Sequence, residues 1–131
     1  MFAGRDVARV WTIGYGTTYY PNGSKVKGGD VISLAQANSL LIRDIDSFAR
    51  GVDSAVGSGV YLKQQQFDAL VSFSYNVGLG AFRRSTLLQR VRANPNNGAI
   101  RGEFMKWVNA GGRFVQGLKN RRQREANLYF S

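Results

Sequence analysis

The side chains able to hold or release a proton in a hydrolytic reaction are few in this sequence. There are eight carboxylates: Asp6, Asp30, Asp44, Asp46, Asp53, Asp68, Glu103 and Glu125. There is no His and no Cys. Those absences exclude Ser-His-Asp and Cys-His catalysis, imidazole metal sites, thiolate nucleophiles, iron–sulfur clusters, Cys-based zinc sites and disulfides. Any hydrolysis must run on carboxylates, hydroxyls or a hard metal held by oxygen.

The positive charge is concentrated in one part of the chain. Residues 1–82 carry 7 basic and 6 acidic residues, and residues 83–131 carry 11 and 2, within a total of +10. A basic half favours a polyanionic partner: nucleic acid, an anionic membrane surface or an anionic cell-wall polymer. Plain solubility is the bland alternative. No groove-reading helix signature or RNP-type aromatic motif is present, so no nucleic-acid partner is expected. Apolar runs are short and interrupted, which predicts no membrane span. The first ten residues contain Arg5, Asp6 and Arg9 and no apolar h-region, which predicts no signal peptide. With 131 residues, 44% of them hydrophobic, the chain is expected to fold as a single domain.

The elements that must position any site follow from pattern. Val10-Trp11-Thr12-Ile13 is β-prone, Thr17–Tyr20 is a second strand candidate, and Pro21-Asn22-Gly23-Ser24 is a turn leading into Lys25-Val26-Lys27. Gly28-Gly29-Asp30 closes this β region. Ser33 and Gln36 fit a capping box. Leu34, Ala37, Leu41, Ile45 and Phe48 then recur at helical spacing, which predicts a helix from about 34 to 56 with Gly51 as its weak point. A second, apolar helix is expected over about 64–78 with Phe67, Leu70, Val71 and Tyr75 on one stripe, ended by Gly78 and Gly80. Further helices are expected over about 85–92, 99–109 and 117–129, with breaks at residues 94–98 and at Gly111-Gly112. The fold class is α+β, mostly α: a small N-terminal β-hairpin lobe (1–30) packed against a helical lobe (31–131).

Several stretches in fixed order carry a resemblance. Asp6-Val7-Ala8-Arg9-Val10-Trp11-Thr12-Ile13-Gly14-Tyr15-Gly16 resembles the catalytic hairpin of the phage-type lysozymes, the T-even-phage endolysin family. Phe67-Asp68-Ala69-Leu70-Val71-Ser72-Phe73-Ser74-Tyr75-Asn76-Val77-Gly78 resembles that family's buried central helix. Gly80-Ala81-Phe82, Ser85–Leu88, Glu103 to Trp107 and Gly117–Arg122 follow in the family's order, so the likeness spans residues 6–128.

The resemblance implies a lysozyme-like fold and hydrolysis of the bond between N-acetylmuramic acid and N-acetylglucosamine in bacterial peptidoglycan. The anomeric centre inverts, and no cofactor or metal is needed. It implies that Asp6 and Thr12 position the attacking water. The chemistry is consistent: a carboxylate accepts a proton and a hydroxyl both donates and accepts. It further implies that Tyr15, Tyr75, Asn76 and Ser85 bind substrate. A monomer made in the host bacterial cytoplasm and acting at the cell wall or periplasm is expected.

The family's general-acid glutamate stands nine residues before the hairpin aspartate, a position ahead of Met1, and no glutamate precedes Glu103. Residues 1–131 alone are therefore expected to show little muramidase activity. The start within the motif, and Arg9 where the family usually has Gly, point to a chain truncated or altered at this end.

Each of these residues also has a plainer reading. Asp6 suits a turn, and Thr12 a strand. Tyr15 suits the core, Tyr75-Asn76 a helix end, and Ser85 a helix N-cap. Trp107 is read as core. Glu103 is read as a charge-paired position with Arg101 and Lys106 close by, a replacement acid being the lesser alternative. Arg121, Arg122 and Arg124 form either a solvated basic face or a contact with an anionic envelope. A non-catalytic, basic envelope-binding or membrane-active protein is the alternative function.

Overall fold

In the computed structural model the described residues are 4–5, 11–12, 24–25 and 34–131. The chain divides into two compact units, Met1–Ser47 and Phe48–Ser131.

In the first unit, β1 (Gly4–Arg5) pairs antiparallel with β2 (Trp11–Thr12), in the register Gly4 to Thr12 and Arg5 to Trp11. The strand expected at Trp11 and Thr12 is present. Its partner carried no sequence signal, because Gly and Arg are not β-prone. The strand expected over 17–20, the turn at 21–23, residues 26–30 and the cap at Ser33 lie outside the described residues.

Helix α1 (Leu34–Val56) begins in the first unit and ends in the second. It runs unbroken through Gly51. A Cβ on that residue would run into the Leu79 side chain, so the missing side chain serves close packing. The apolar stripe differs from expectation. Ile45 and Ile42 are exposed, while Leu40, Val52 and Val56 are buried. Periodicity places apolar residues on a face, but only neighbouring elements decide which of them are covered.

The second unit is built around α2 (Gln64–Val77). Phe73 is its centre, fully buried and edge-on to Phe82 at 6.2 Å, Phe104 at 5.7 Å and Trp107 at 5.4 Å. The expected stripe omitted Phe73, because this helix is covered on more than one side. Leu70 is fully buried, whereas Phe67, Val71 and Tyr75 are only partly so. Trp107 is half-buried against the core, as its core reading required.

Gly78 ends α2 with φ +98°, and its N–H reaches the Ser74 carbonyl at 2.7 Å. A short helix the sequence reading did not contain, α3 (Leu79–Arg83), follows at once. Then come α4 (Thr86–Ala93) and α5 (Ile100–Met105). The helix expected to reach residue 109 stops at Met105. Its last residues feed a hairpin, β3 (Asn109–Ala110) with β4 (Arg113–Phe114). Gly111 and Gly112 have φ of +58° and +77°. Two successive positive φ values make a tight hairpin turn where the sequence reading saw only a break.

Helix α6 (Gln116–Tyr129) closes the unit and packs along α2. At its end the Tyr129 hydroxyl donates to the Pro95 carbonyl at 2.6 Å. Buried Gln66 accepts from the Lys63 N–H at 2.9 Å, and its amide donates to Asn96 Oδ1 at 3.2 Å. The 94–98 turn is thereby tied to both α2 and α6. The observed class is α+β, mostly helical, with small antiparallel sheets.

Candidate functional site

The residues the sequence singled out fall in three places. Thr12 lies on β2 opposite Gly4. Asp6 and Tyr15 lie outside the described residues; Asp6 follows directly on Arg5, whose ladder partner is Trp11, the neighbour of Thr12. Tyr75 and Asn76 occupy the last turn of α2. Ser85 precedes α4.

Ser85 is buried. Its Oγ accepts from the Leu88 N–H at 3.1 Å and donates to the Phe82 carbonyl at 2.6 Å. This is an N-cap, the reading its position before Thr86 suggested. It joins α3 to α4 through a tight turn.

At the end of α2, the Tyr75 ring meets Phe48 edge-on at 5.3 Å. Asn76 is exposed, and its Oδ1 accepts from Arg122 Nη2 on α6 at 2.8 Å. Arg122 is 0% exposed. Its Nε stands 2.8 Å from Glu125 Oε1, and its Nη2 donates to Glu125 Oε2 at 3.3 Å. Ser72 Oγ donates to the same Oε2 at 2.6 Å. The guanidinium carbon lies 5.0 Å from the centre of the Phe73 ring, a cation–π contact. Ser72 and Asn76, one turn apart on α2, thus grip Glu125 and Arg122, nearly one turn apart on α6.

Burial dominates the electrostatics here. It pushes the Glu125 carboxyl above its ordinary range, against the lowering effect of Ser72, Arg122 and Arg121. It also pulls the Arg122 guanidinium below its ordinary value. Neither charge has water to fall back on, and each is retained by the other. Arg122 Nη1 finds no hydrogen-bond partner among the described residues, and the Nε–Oε1 approach is an ion pair without hydrogen-bond geometry.

This corrects the reading of Arg121, Arg122 and Arg124 as one solvated or envelope-facing stretch. Arg124 is exposed, Arg121 is half-buried beside Glu125 at 3.5 Å, and Arg122 is interior. The signal was present in the sequence. Residues 122, 125, 126 and 129 form a helical stripe that ends in Ala126 and Tyr129, so its first two members also face inward. The density of Arg and Lys on α6 hid it. Glu103 is charge-paired, as read, with Lys106 at 2.9 Å, but its second partner is Arg90 at 3.0 Å. Arg101 instead donates to Asn127 at 2.8 Å.

A separate pocket of about 360 Å³ opens between the end of α1 and the start of α2, lined by Asp53, Val56, Tyr61, Leu62, Gln64 and Phe67. None of the candidate residues lines it. Among the described residues, no helix is long and apolar enough to cross a membrane.

The family model described as phage lysozyme matches residues 2–125. The chain belongs to the phage lysozyme family. It is 46% identical to the endolysin of Bacillus phage B103 over 123 residues, which cover 94% of this chain and 44% of that protein. The chain likewise spans 44% of the endolysin of Bacillus phage PZA, so it covers less than half of these curated relatives.

Among solved structures it resembles an endolysin from Escherichia coli O157:H7 phage FAHEc1, with TM-score 0.81 and 37% identity, covering 99% of this chain and 82% of that one. It also resembles the muramidase domain of SpmX from Asticaccaulis excentricus, with TM-score 0.79 and 28% identity, covering 99% and 86%. The mostly helical phage lysozyme fold, with the α2 segment at its centre, is therefore the frame on which any site here is built.

Proposed function

We propose that these residues form a single lysozyme-like domain, a β lobe (1–30) and a helical lobe (31–131), of a muramidase that cleaves the MurNAc–GlcNAc β-1,4 bond of bacterial peptidoglycan. The observation that carries the reading is the phage lysozyme match across residues 2–125, with relatives named endolysin and muramidase.

The chemistry follows from the residue types. Asp6 takes a proton from water while the Thr12 hydroxyl fixes that water. The water oxygen bonds to the anomeric carbon from the face opposite the leaving group as the glycosidic C–O bond breaks, which inverts the centre. The leaving oxygen takes its proton from solvent in residues 1–131 or from a glutamate placed upstream of them. Tyr15 in the first unit and Tyr75 and Asn76 in the second are each substrate contacts, and Ser85 contributes through the turn it caps. The domain works as a monomer at the cell wall, needs no cofactor, and is drawn to the anionic envelope by its net charge of +10. Nucleic acid is not its partner.

The test is release of reducing ends from purified peptidoglycan. Residues 1–131 contain no glutamate ahead of Glu103. Their rate is expected to rise by about 10²–10⁴-fold when an upstream helix bearing a glutamate nine positions before Asp6 is joined to them. In that extended protein, Asp6→Ala with Thr12→Ala removes the release. Undiminished release in the double variant would overturn the proposal.

A further inference from the structure

We propose that Arg122 is a positioning residue: it locks the Asn76 amide with its NH₂ group outward, so that the end of α2 selects a ligand group that accepts a hydrogen bond. The inference rests on the reading of Asn76 as a substrate contact and says which half of its amide meets the ligand.

A free asparagine at an exposed helix end presents its oxygen or its nitrogen with similar ease. Here the choice is made from behind. A guanidinium has only donors, so the group it meets at 2.8 Å must be the amide oxygen. Turning the amide over would set its NH₂ against Arg122 Nη2, two donors facing each other beside a buried charge. Loss of a hydrogen bond to a charged group disfavours that rotamer by roughly ten- to a hundred-fold.

The guanidinium cannot turn to accommodate the flip. Glu125 pairs with its Nε and accepts from its Nη2, Ser72 holds Glu125, and the Phe73 ring centre lies 5.0 Å from the guanidinium carbon. Its side chain is fully enclosed. The exposed Nδ2 is thereby a fixed donor. It matches the carbonyl oxygen of an acetamido group or a carboxylate oxygen, and it opposes an ammonium, which has no lone pair to offer at the same point.

The test is a double-mutant cycle on ligand affinity with Arg122→Met, Asn76→Ala and the pair. Two probes separate the acceptor sources: N-acetylchitotriose offers neutral acceptors and no carboxylate, and a soluble muropeptide adds carboxylates. Each single change is expected to weaken binding about tenfold, and the pair no further than either. A loss shared by both probes assigns a neutral acceptor of the sugar, and its disappearance with deacetylated chitotriose narrows that acceptor to the acetamido carbonyl; a loss confined to the muropeptide assigns a carboxylate.

Should Arg122→Met unfold because Glu125 is left buried and alone, the paired change Arg122→Met with Glu125→Leu takes its place in the cycle, so that both members of the ion pair leave together and no charge is stranded. Equal weakening by Arg122→Met with and without Asn76, or none in folded protein, overturns the positioning role while leaving Asn76 as a contact. Unchanged affinity for both probes in Asn76→Ala overturns the contact itself, and the positioning role with it.

Discussion

Glu103 and Glu125 are the two glutamates of the sequence, both are buried, and both face two cations, yet the protein treats them oppositely. At Glu103 the hydrogen bond from Lys106 leads, and with Arg90 it holds the carboxyl below its ordinary value of 4.5 despite burial. At Glu125 burial leads and raises the carboxyl above that value. The difference lies in the partners. Lys106 and Arg90 keep 65% and 41% of their side chains in water, whereas of the Glu125 partners only the more distant Arg121, at 3.5 Å, keeps 36% and Arg122, at 2.8 Å, keeps none. A pair with one end hydrated pays desolvation once, and a pair enclosed at both ends is retained chiefly because removing either member strands the other.

The comparison breaks most sharply on removal of the acids. Glu125→Ala leaves Arg122 enclosed without its countercharge and is expected to cost about 3–5 kcal/mol in chemical denaturation. Glu103→Ala releases two cations to water and is expected to cost about 1 kcal/mol. Equal costs would mean that partner hydration is not what separates the sites.

Trimming a partner gives a smaller contrast. Ser72→Ala removes a 2.6 Å bond to a buried carboxylate and is expected to cost about 1.5 kcal/mol. Lys106→Ala, at a hydrated cation, is expected to cost about 0.5 kcal/mol in the same denaturation series.

The smallest effect is in pH dependence, where the two sites have opposite signs. The Glu103 contribution is present above about 4.5 and is lost as pH falls through its lowered folded value. The Glu125 contribution is present below about 4.5 and is lost as pH rises through its raised folded value. Thermal unfolding across that range is expected to show the deficit of Glu103→Gln relative to the parent shrinking as the solution is acidified. Glu125→Gln is expected to gain on the parent as pH rises. Parallel curves for the two variants would contradict the assignment.

Much of this was legible in the sequence where local chemistry dominates. The span of α1, the ends of α2, the cap at Ser85 and the start of α6 rest on periodicity, a hydroxyl before a helix and glycines at breaks. The β3–β4 hairpin was not, because Gly111-Gly112 reads equally as a break or as a turn until two flanking strands pair. The β1 strand was not, because two residues without β propensity become a strand only when Trp11 and Thr12 lie beside them. Of the candidate site, the sequence placed Tyr75-Asn76 at a helix end, but it took Arg122 for surface.

By itself, then, the sequence determined the chemistry open to this protein, since it has carboxylates and hydroxyls but neither imidazole nor thiol, and the order of motifs that places it among phage lysozymes. The tertiary structure alone decided which charges are interior. A guanidinium is costly to bury by any local rule, and only the packing of α6 on α2 brings Glu125, Ser72, Asn76 and Phe73 around Arg122 in a geometry that makes its burial tolerable.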